Sequence, residues 1–113
     1  MQHRDIIALK KIKDEIQIAL DMIKTVSFEE FSSSEILKRA ICMTVINIGE
    51  LVKSLSEDVR AEYKNIPWKL IAGFRDIAAH KYQTLKMEDV YETVIGDFPN
   101  LLNDIQVILD TCK

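Results

Sequence analysis

Between Arg4 and Val26, apolar residues recur at Ile6, Leu9, Ile12, Ile16, Leu20 and Ile23, while Lys10, Lys11, Lys13, Asp14 and Glu15 fill the other positions. Intervals of three and four put one apolar stripe on a long amphipathic first helix. The stretch SFEEFSSS interrupts this pattern, and Ser32 with Glu35 three residues later has the form of a capping box, predicting a second helix from near Ser33. That helix runs to about Leu55 through Leu37, Ala40, Ile41, Thr44, Val45, Ile48, Leu51 and Val52, a stripe wide enough to face two neighbours at the centre of a bundle. Ser56 to Val59 gives a short further turn closed by Asn65, and Ile66-Pro67-Trp68 opens a third long helix with proline at its first position. A polar break at Gln83-Thr84 precedes a last helix from about Met87 to Thr111, striped by Val90, Val94, Leu101, Leu102, Ile105, Ile108 and Leu109 and kinked at Pro99.

Nowhere does the chain alternate as a strand does, repeat itself, simplify in composition or offer a glycine-rich phosphate loop. The predicted fold is all-α, an antiparallel four- to five-helix bundle with a kinked last helix, and residues 1–113 are taken as a single domain.

Composition narrows the classes of function. Apolar residues make up 48% and charged ones 29% of the 113, with three glycines and two prolines, as in a folded helical chain rather than a disordered one. The apolar run around Ala40 to Gly49 is broken by Thr44 and Asn47 and is far shorter than the roughly 20 residues of a membrane span. The first sixteen residues scatter charges through their apolar positions and show no secretory h-region, so a cytoplasmic location is expected. Cys42 and Cys112 lack metal-ligand spacing and read as reduced, structural thiols. A formal net charge of −3 argues against diffuse wrapping of nucleic acid, so any RNA contact must be local.

One stretch resists a purely structural explanation. GFRDIAAHKY, Gly73 to Tyr82, sets Arg75, Asp76, His80 and Tyr82 among small residues. On a helix over 68–82, Leu70, Phe74, Ile77 and Ala78 are expected to be buried, with Arg75, Asp76, Ala79 and His80 on the adjoining faces. Asp76 and His80 are four apart, so the carboxylate is expected to accept a hydrogen bond from the imidazole and orient it. Ala72, Gly73 and Ala79 leave a crevice beside them. An imidazole that moves protons beside a planar, permanently charged guanidinium suits attack on a phosphodiester, for which RNA supplies its own 2′-hydroxyl nucleophile. In-line cleavage needs both a proton acceptor and a donor, and His80 is alone here; a symmetric dimer supplies the second histidine. Considered singly, Arg75 and His80 would more often be solvated or satisfied by neighbours.

Arg75, four residues, His80, one residue and Tyr82 form a signature that resembles the HEPN superfamily, and within it the HepT-like toxins paired with minimal nucleotidyltransferases. Ile48-Gly49-Glu50, Ile66-Pro67-Trp68 and Tyr91 accompany it in the expected order, so the resemblance covers nearly the whole chain. It implies a helical homodimer whose two Arg75 and His80 sets share one cleft, acting as a metal-independent endoribonuclease toxin without a cofactor. It further implies a nucleotidyltransferase antitoxin that neutralises the toxin by transferring AMP to Tyr82; on a helix continuing from Arg75, that phosphate would lie in the cleft and pair with the guanidinium. RNA is the implied substrate, and neither DNA nor a membrane is an expected partner.

The chain departs from that pattern at Asp76, where the family often has Asn. An acid orients an imidazole as well as an amide does, but adds negative charge where an RNA phosphate must sit. Glu50 reads either as a solvated acid or as a partner for Arg75 or His80. Trp68 and Phe74 read as core aromatics, and the lysines at 10, 11, 13 and 38 with Arg39 as a solvated face. A non-catalytic module that presents itself as substrate to the nucleotidyltransferase is the alternative function.

Overall fold

The computed structural model describes residues 1–112, which form seven α-helical segments: α1 (His3–Ile23), α2 (Phe28–Ser33), α3 (Glu35–Ser54), α4 (Glu57–Glu62), α5 (Trp68–His80), α6 (Met87–Glu92) and α7 (Phe98–Thr111). A 3₁₀ turn, Tyr82–Thr84, lies between α5 and α6, and a π-helical stretch, Thr93–Asp97, joins α6 to α7. The four long helices run antiparallel to their neighbours. Asp5 at the start of α1 meets Ser56 just beyond α3, Arg39 near the start of α3 meets Tyr82 just beyond α5, and Cys112 after α7 lies against Met1. The predicted all-α antiparallel bundle is therefore the observed one.

The α3 helix is central because its apolar face is wide. Ile41, Val45, Ile48 and Val52 are buried in a common core with Leu9, Ile12 and Ile16 of α1 and Leu101, Ile105 and Ile108 of α7. Its other flank packs against α5. A buried polar joint fastens one corner: Asp5, only 1% exposed, accepts the Ser56 amide at 2.9 Å and the Ser56 hydroxyl at 2.7 Å. Ser56 Oγ in turn accepts the Val59 amide and caps α4, so a single carboxylate ties α1 to the turn after α3.

The structure corrects several expectations. SFEEFSSS and the Glu35 that follows it hold two Ser-x-x-Glu pairs, and the reciprocal capping box forms at Ser27 and Glu30, opening the short helix α2; α3 starts later, at Glu35, capped by Ser34. Pro67 precedes α5 as its N-cap rather than occupying the first turn. The break in the last helix lies upstream of Pro99. A proline ring clashes with the carbonyl four residues before it, here that of Ile95, and the chain answers with the π stretch centred on that residue, where the Phe98 amide bonds back to Thr93.

The buried face of α5 also differs. Leu70 is 72% and Ile77 47% exposed, whereas Trp68 and Ala78 are buried and Ile71, Ala72, Phe74 and Arg75 are partly so. The helix turns its 68–71–75–78 stripe to α3, which places Arg75 in the packed face. Gly49 makes this possible, because a Cβ on it would lie 2.6 Å from Arg75 Cγ and closer still to Arg75 Cβ. Gly49→Ala must push the two helices apart and is expected to cost about 1–3 kcal/mol in denaturant unfolding. Gly96→Ala, with nothing within 4 Å of its new methyl group, should be neutral or stabilising by up to about 1 kcal/mol.

Candidate active site

Arg75 reaches the site along the α3–α5 seam. Its stem is packed against Gly49, its side chain is 20% exposed, and its Nε is buried without a hydrogen-bond partner, so only the two terminal nitrogens engage other groups. Nη2 pairs with Glu50 Oε1, and Nη1 donates to Asp76 Oδ1 at 3.0 Å. The same Asp76 oxygen accepts from Lys53 Nζ at 2.6 Å. Two cations and two carboxylates thus alternate along the seam: Glu50, Arg75, Asp76, Lys53. The Lys53 ammonium first, and the Arg75 guanidinium second, hold the Asp76 carboxyl below the usual aspartate range.

Of the open readings for Glu50, the structure realises a pairing with Arg75. The expected Asp76–His80 hydrogen bond does not form; Asp76 turns to Lys53 and Arg75 instead. His80 ends α5 and is exposed, and its imidazole makes no hydrogen bond among the described residues. It still lies one turn beyond Asp76 on nearly the same flank, about 6 Å along the axis and about 40° around it.

Tyr82 is not on a continuation of α5. Lys81 leaves helical geometry at φ −131°, ψ 35°, and Tyr82 begins the 3₁₀ turn. The ring swings onto the first turns of α3, where Arg39 stacks over it at 5.1 Å. A shallow concavity is lined by Ala79, His80, Lys81, Tyr82, Gln83 and Thr84, so the histidine and tyrosine share one surface. Arg75 lies further along the helix seam. Burial first, and the Glu35 charge second, push the Tyr82 hydroxyl above its ordinary value, against the opposing pull of Arg39.

Other residues resolve as structural. Trp68 is buried and donates its indole N–H to the Tyr63 carbonyl at 3.1 Å. Tyr91 donates to the Val26 carbonyl at 2.6 Å and packs its ring between Phe28 and Phe31, holding α2 to α6. Both cysteines are free, and burial raises the Cys42 thiol to about 11, which leaves it a poor nucleophile at neutral pH. Lys53 was missed by the sequence reading; its three-residue spacing from Glu50 on α3 was the available signal.

The geometry defines a class: a helical bundle that presents an arginine, a histidine and a tyrosine from one helix end and the turn after it. The chain belongs to the ribonuclease HepT-like family, whose sequence model matches residues 12–108. It is 34% identical over 105 residues to a protein of Caldanaerobacter subterraneus subsp. tengcongensis named a putative RNase, covering 93% of this chain and 94% of that one. A protein of Methanocaldococcus jannaschii with the same description is 32% identical over 110 residues, covering 96% and 91%. The probable ribonuclease HepT of Thermococcus cleftensis is 27% identical over 99 residues, 88% of each chain. No solved structure matches the chain. None of the helices among the described residues is long and apolar enough to cross a membrane.

The Tyr82 environment is directly measurable. An ultraviolet titration, taken as the difference between the protein and Tyr82→Phe, should place its midpoint above 10, the ordinary tyrosine value. Glu35→Gln should lower that midpoint by removing a negative charge, and Arg39→Gln should raise it by removing a positive one.

Proposed function

We propose that this chain is the toxin of a toxin–antitoxin pair: a metal-independent endoribonuclease that acts as a homodimer and is neutralised by AMP transfer to Tyr82. The observation that carries the reading is the placement of Arg75 and His80 on one helix, with the guanidinium braced and the imidazole left accessible one surface away. Family membership supports the substrate class, since the relatives are named as ribonucleases.

Each residue then has a role. Arg75 directs its terminal N–H groups at the phosphoryl oxygens and stabilises the charge that grows there as the 2′-hydroxyl attacks. Glu50 is a positioning residue that fixes the guanidinium from the α3 side. One His80 takes the 2′-hydroxyl proton, and His80 of the partner subunit protonates the leaving 5′-oxygen. The phosphorus gains its bond to O2′ as the bond to O5′ breaks, which leaves a 2′,3′-cyclic phosphate and a 5′-hydroxyl.

Tyr82 shares the concavity with His80, so a nucleotide on its hydroxyl would cover the histidine. A tyrosine hydroxyl is protonated at neutral pH in any case, and burial shifts that of Tyr82 further upward, so the nucleotidyltransferase must supply the base that activates it. A second reading, the substrate-presenting module without catalysis, draws on the resting arrangement in which two carboxylates already occupy Arg75.

Purified protein incubated with cellular RNA and a chelator should cleave it to 2′,3′-cyclic phosphate ends. His80→Ala should lower the rate by about 10²–10⁴-fold with the fold intact, and Arg75→Ala should also abolish cleavage. Intact RNA in the presence of a folded dimer would transfer the proposal to the substrate-presenting module.

A further inference from the structure

We infer that Lys53 and Arg75 together form a two-cation subsite for a phosphate of the RNA backbone, and that the Asp76 carboxylate occupies this subsite in the resting protein. The inference rests on the ribonuclease reading for its substrate but on separate geometry for its residues. Two cations from different helices converge on one oxygen: Lys53 Nζ at 2.6 Å and Arg75 Nη1 at 3.0 Å from Asp76 Oδ1. A carboxylate oxygen held between an ammonium and a guanidinium is the stand-in for a phosphoryl oxygen, because both anions present the same acceptor to the same donors. Asp76 Oδ1 accepts from both, so displacing that one oxygen frees Lys53 Nζ and Arg75 Nη1 at once.

The surroundings favour exchange. Lys53 and Asp76 are about half exposed, so their pairing is screened by water and holds the closed state only weakly. Arg75, by contrast, is anchored by Gly49 and Glu50 and remains in place when Asp76 departs. A phosphate in the vacated position, held through Arg75 Nη1, lies about one helical turn from His80; it is the neighbour of the reacting phosphate, toward which Arg75 keeps its other terminal N–H groups. Lys53 is thus a binding residue for RNA, and Asp76 an internal competitor for the strand.

Binding tests this without requiring cleavage. The probe is a 2′-O-methyl RNA oligonucleotide of mixed sequence, which lacks the nucleophile, titrated by fluorescence anisotropy from low to physiological salt. Lys53→Met should weaken binding severalfold and reduce the slope of log Kd against log salt by about 0.7, the loss of one single-strand phosphate contact. Lys53→Arg should restore both, and Asp76→Asn should tighten binding severalfold. Circular dichroism confirms that the exposed substitutions leave the helices intact. Unchanged affinity and slope in Lys53→Met, or an oligonucleotide that the unaltered protein fails to bind, overturns the inference. In cleavage assays run beside these, Lys53→Met should raise KM and leave kcat nearly unchanged. Lys53-dependent binding by a protein that cleaves no RNA would sink the ribonuclease reading while the subsite stood.

Discussion

The absence of a side chain at Gly49 governs the rest of the site. The α5 helix packs chiefly on α3, and at their crossing the stem of Arg75 fills the space that a Cβ would occupy. That contact sets both the distance between the helices and the rotation of α5, and the rotation decides which residues face α3. With Arg75 in the seam, Asp76 falls opposite Lys53, Leu70 and Ile77 turn outward, and His80 comes to the exposed end of the helix. A larger residue at position 49 would alter the register of Arg75, Asp76 and His80 against α3. Interiors resist such changes because close-packed helices have no spare volume to absorb them.

Electrostatics then completes what packing begins. A guanidinium whose stem is buried and whose Nε has no partner must satisfy its charge at the terminal nitrogens, and Glu50 and Asp76 do so. Lys53 brings the local charge of the four groups to zero. This balance matters for a chain of net charge −3, which cannot attract a polyanion by its overall field. Local recognition is still available if one of the two acids is replaceable, and the two are unequal. Glu50 pairs with Arg75 alone, whereas Asp76 is shared between two cations through one oxygen and sits on the helix that carries His80. An exposed ion pair contributes little net stability, so its replacement by another anion carries a small cost.

The long helices were legible in the sequence because their stripes are strong and continuous; α1 and α3 match the expected faces, and α3 faces two neighbours as its width implied. The face of α5 was not legible from periodicity. Leu70, Phe74 and Ile77 form a more apolar stripe on paper than one containing Arg75, and only knowledge that Gly49 lies opposite could have reversed the choice. The capping box was displaced because the stretch from Ser27 to Glu35 offers the same motif twice, and tertiary contacts of Phe28 and Phe31 with Tyr91 accompany the first. Arg75, Asp76, His80 and Tyr82 were identifiable from their setting among small residues. Their pairing was not, because an i to i+4 rule weighs only partners on the same helix, and Lys53 is on another.

The break at Lys81 changes how a modified Tyr82 would act. On a continuous helix a phosphate there would lie beside Arg75, and inhibition would follow from charge pairing. In the structure the ring lies instead against Arg39, eleven residues before Glu50 on α3 and so about 16 Å from it along the helix axis. A phosphate on the tyrosine hydroxyl would meet Arg39, which already stacks over the ring, and the nearby charge of Lys38 before it could meet Arg75. Helix α3 therefore sets a cation at each of two separate places near its two ends, Arg39 against Tyr82 and Lys53 beside Asp76, and His80 lies between them on α5. Occupation of the first would obstruct the histidine by bulk and by negative charge while leaving the Arg75 seam closed on its own carboxylates.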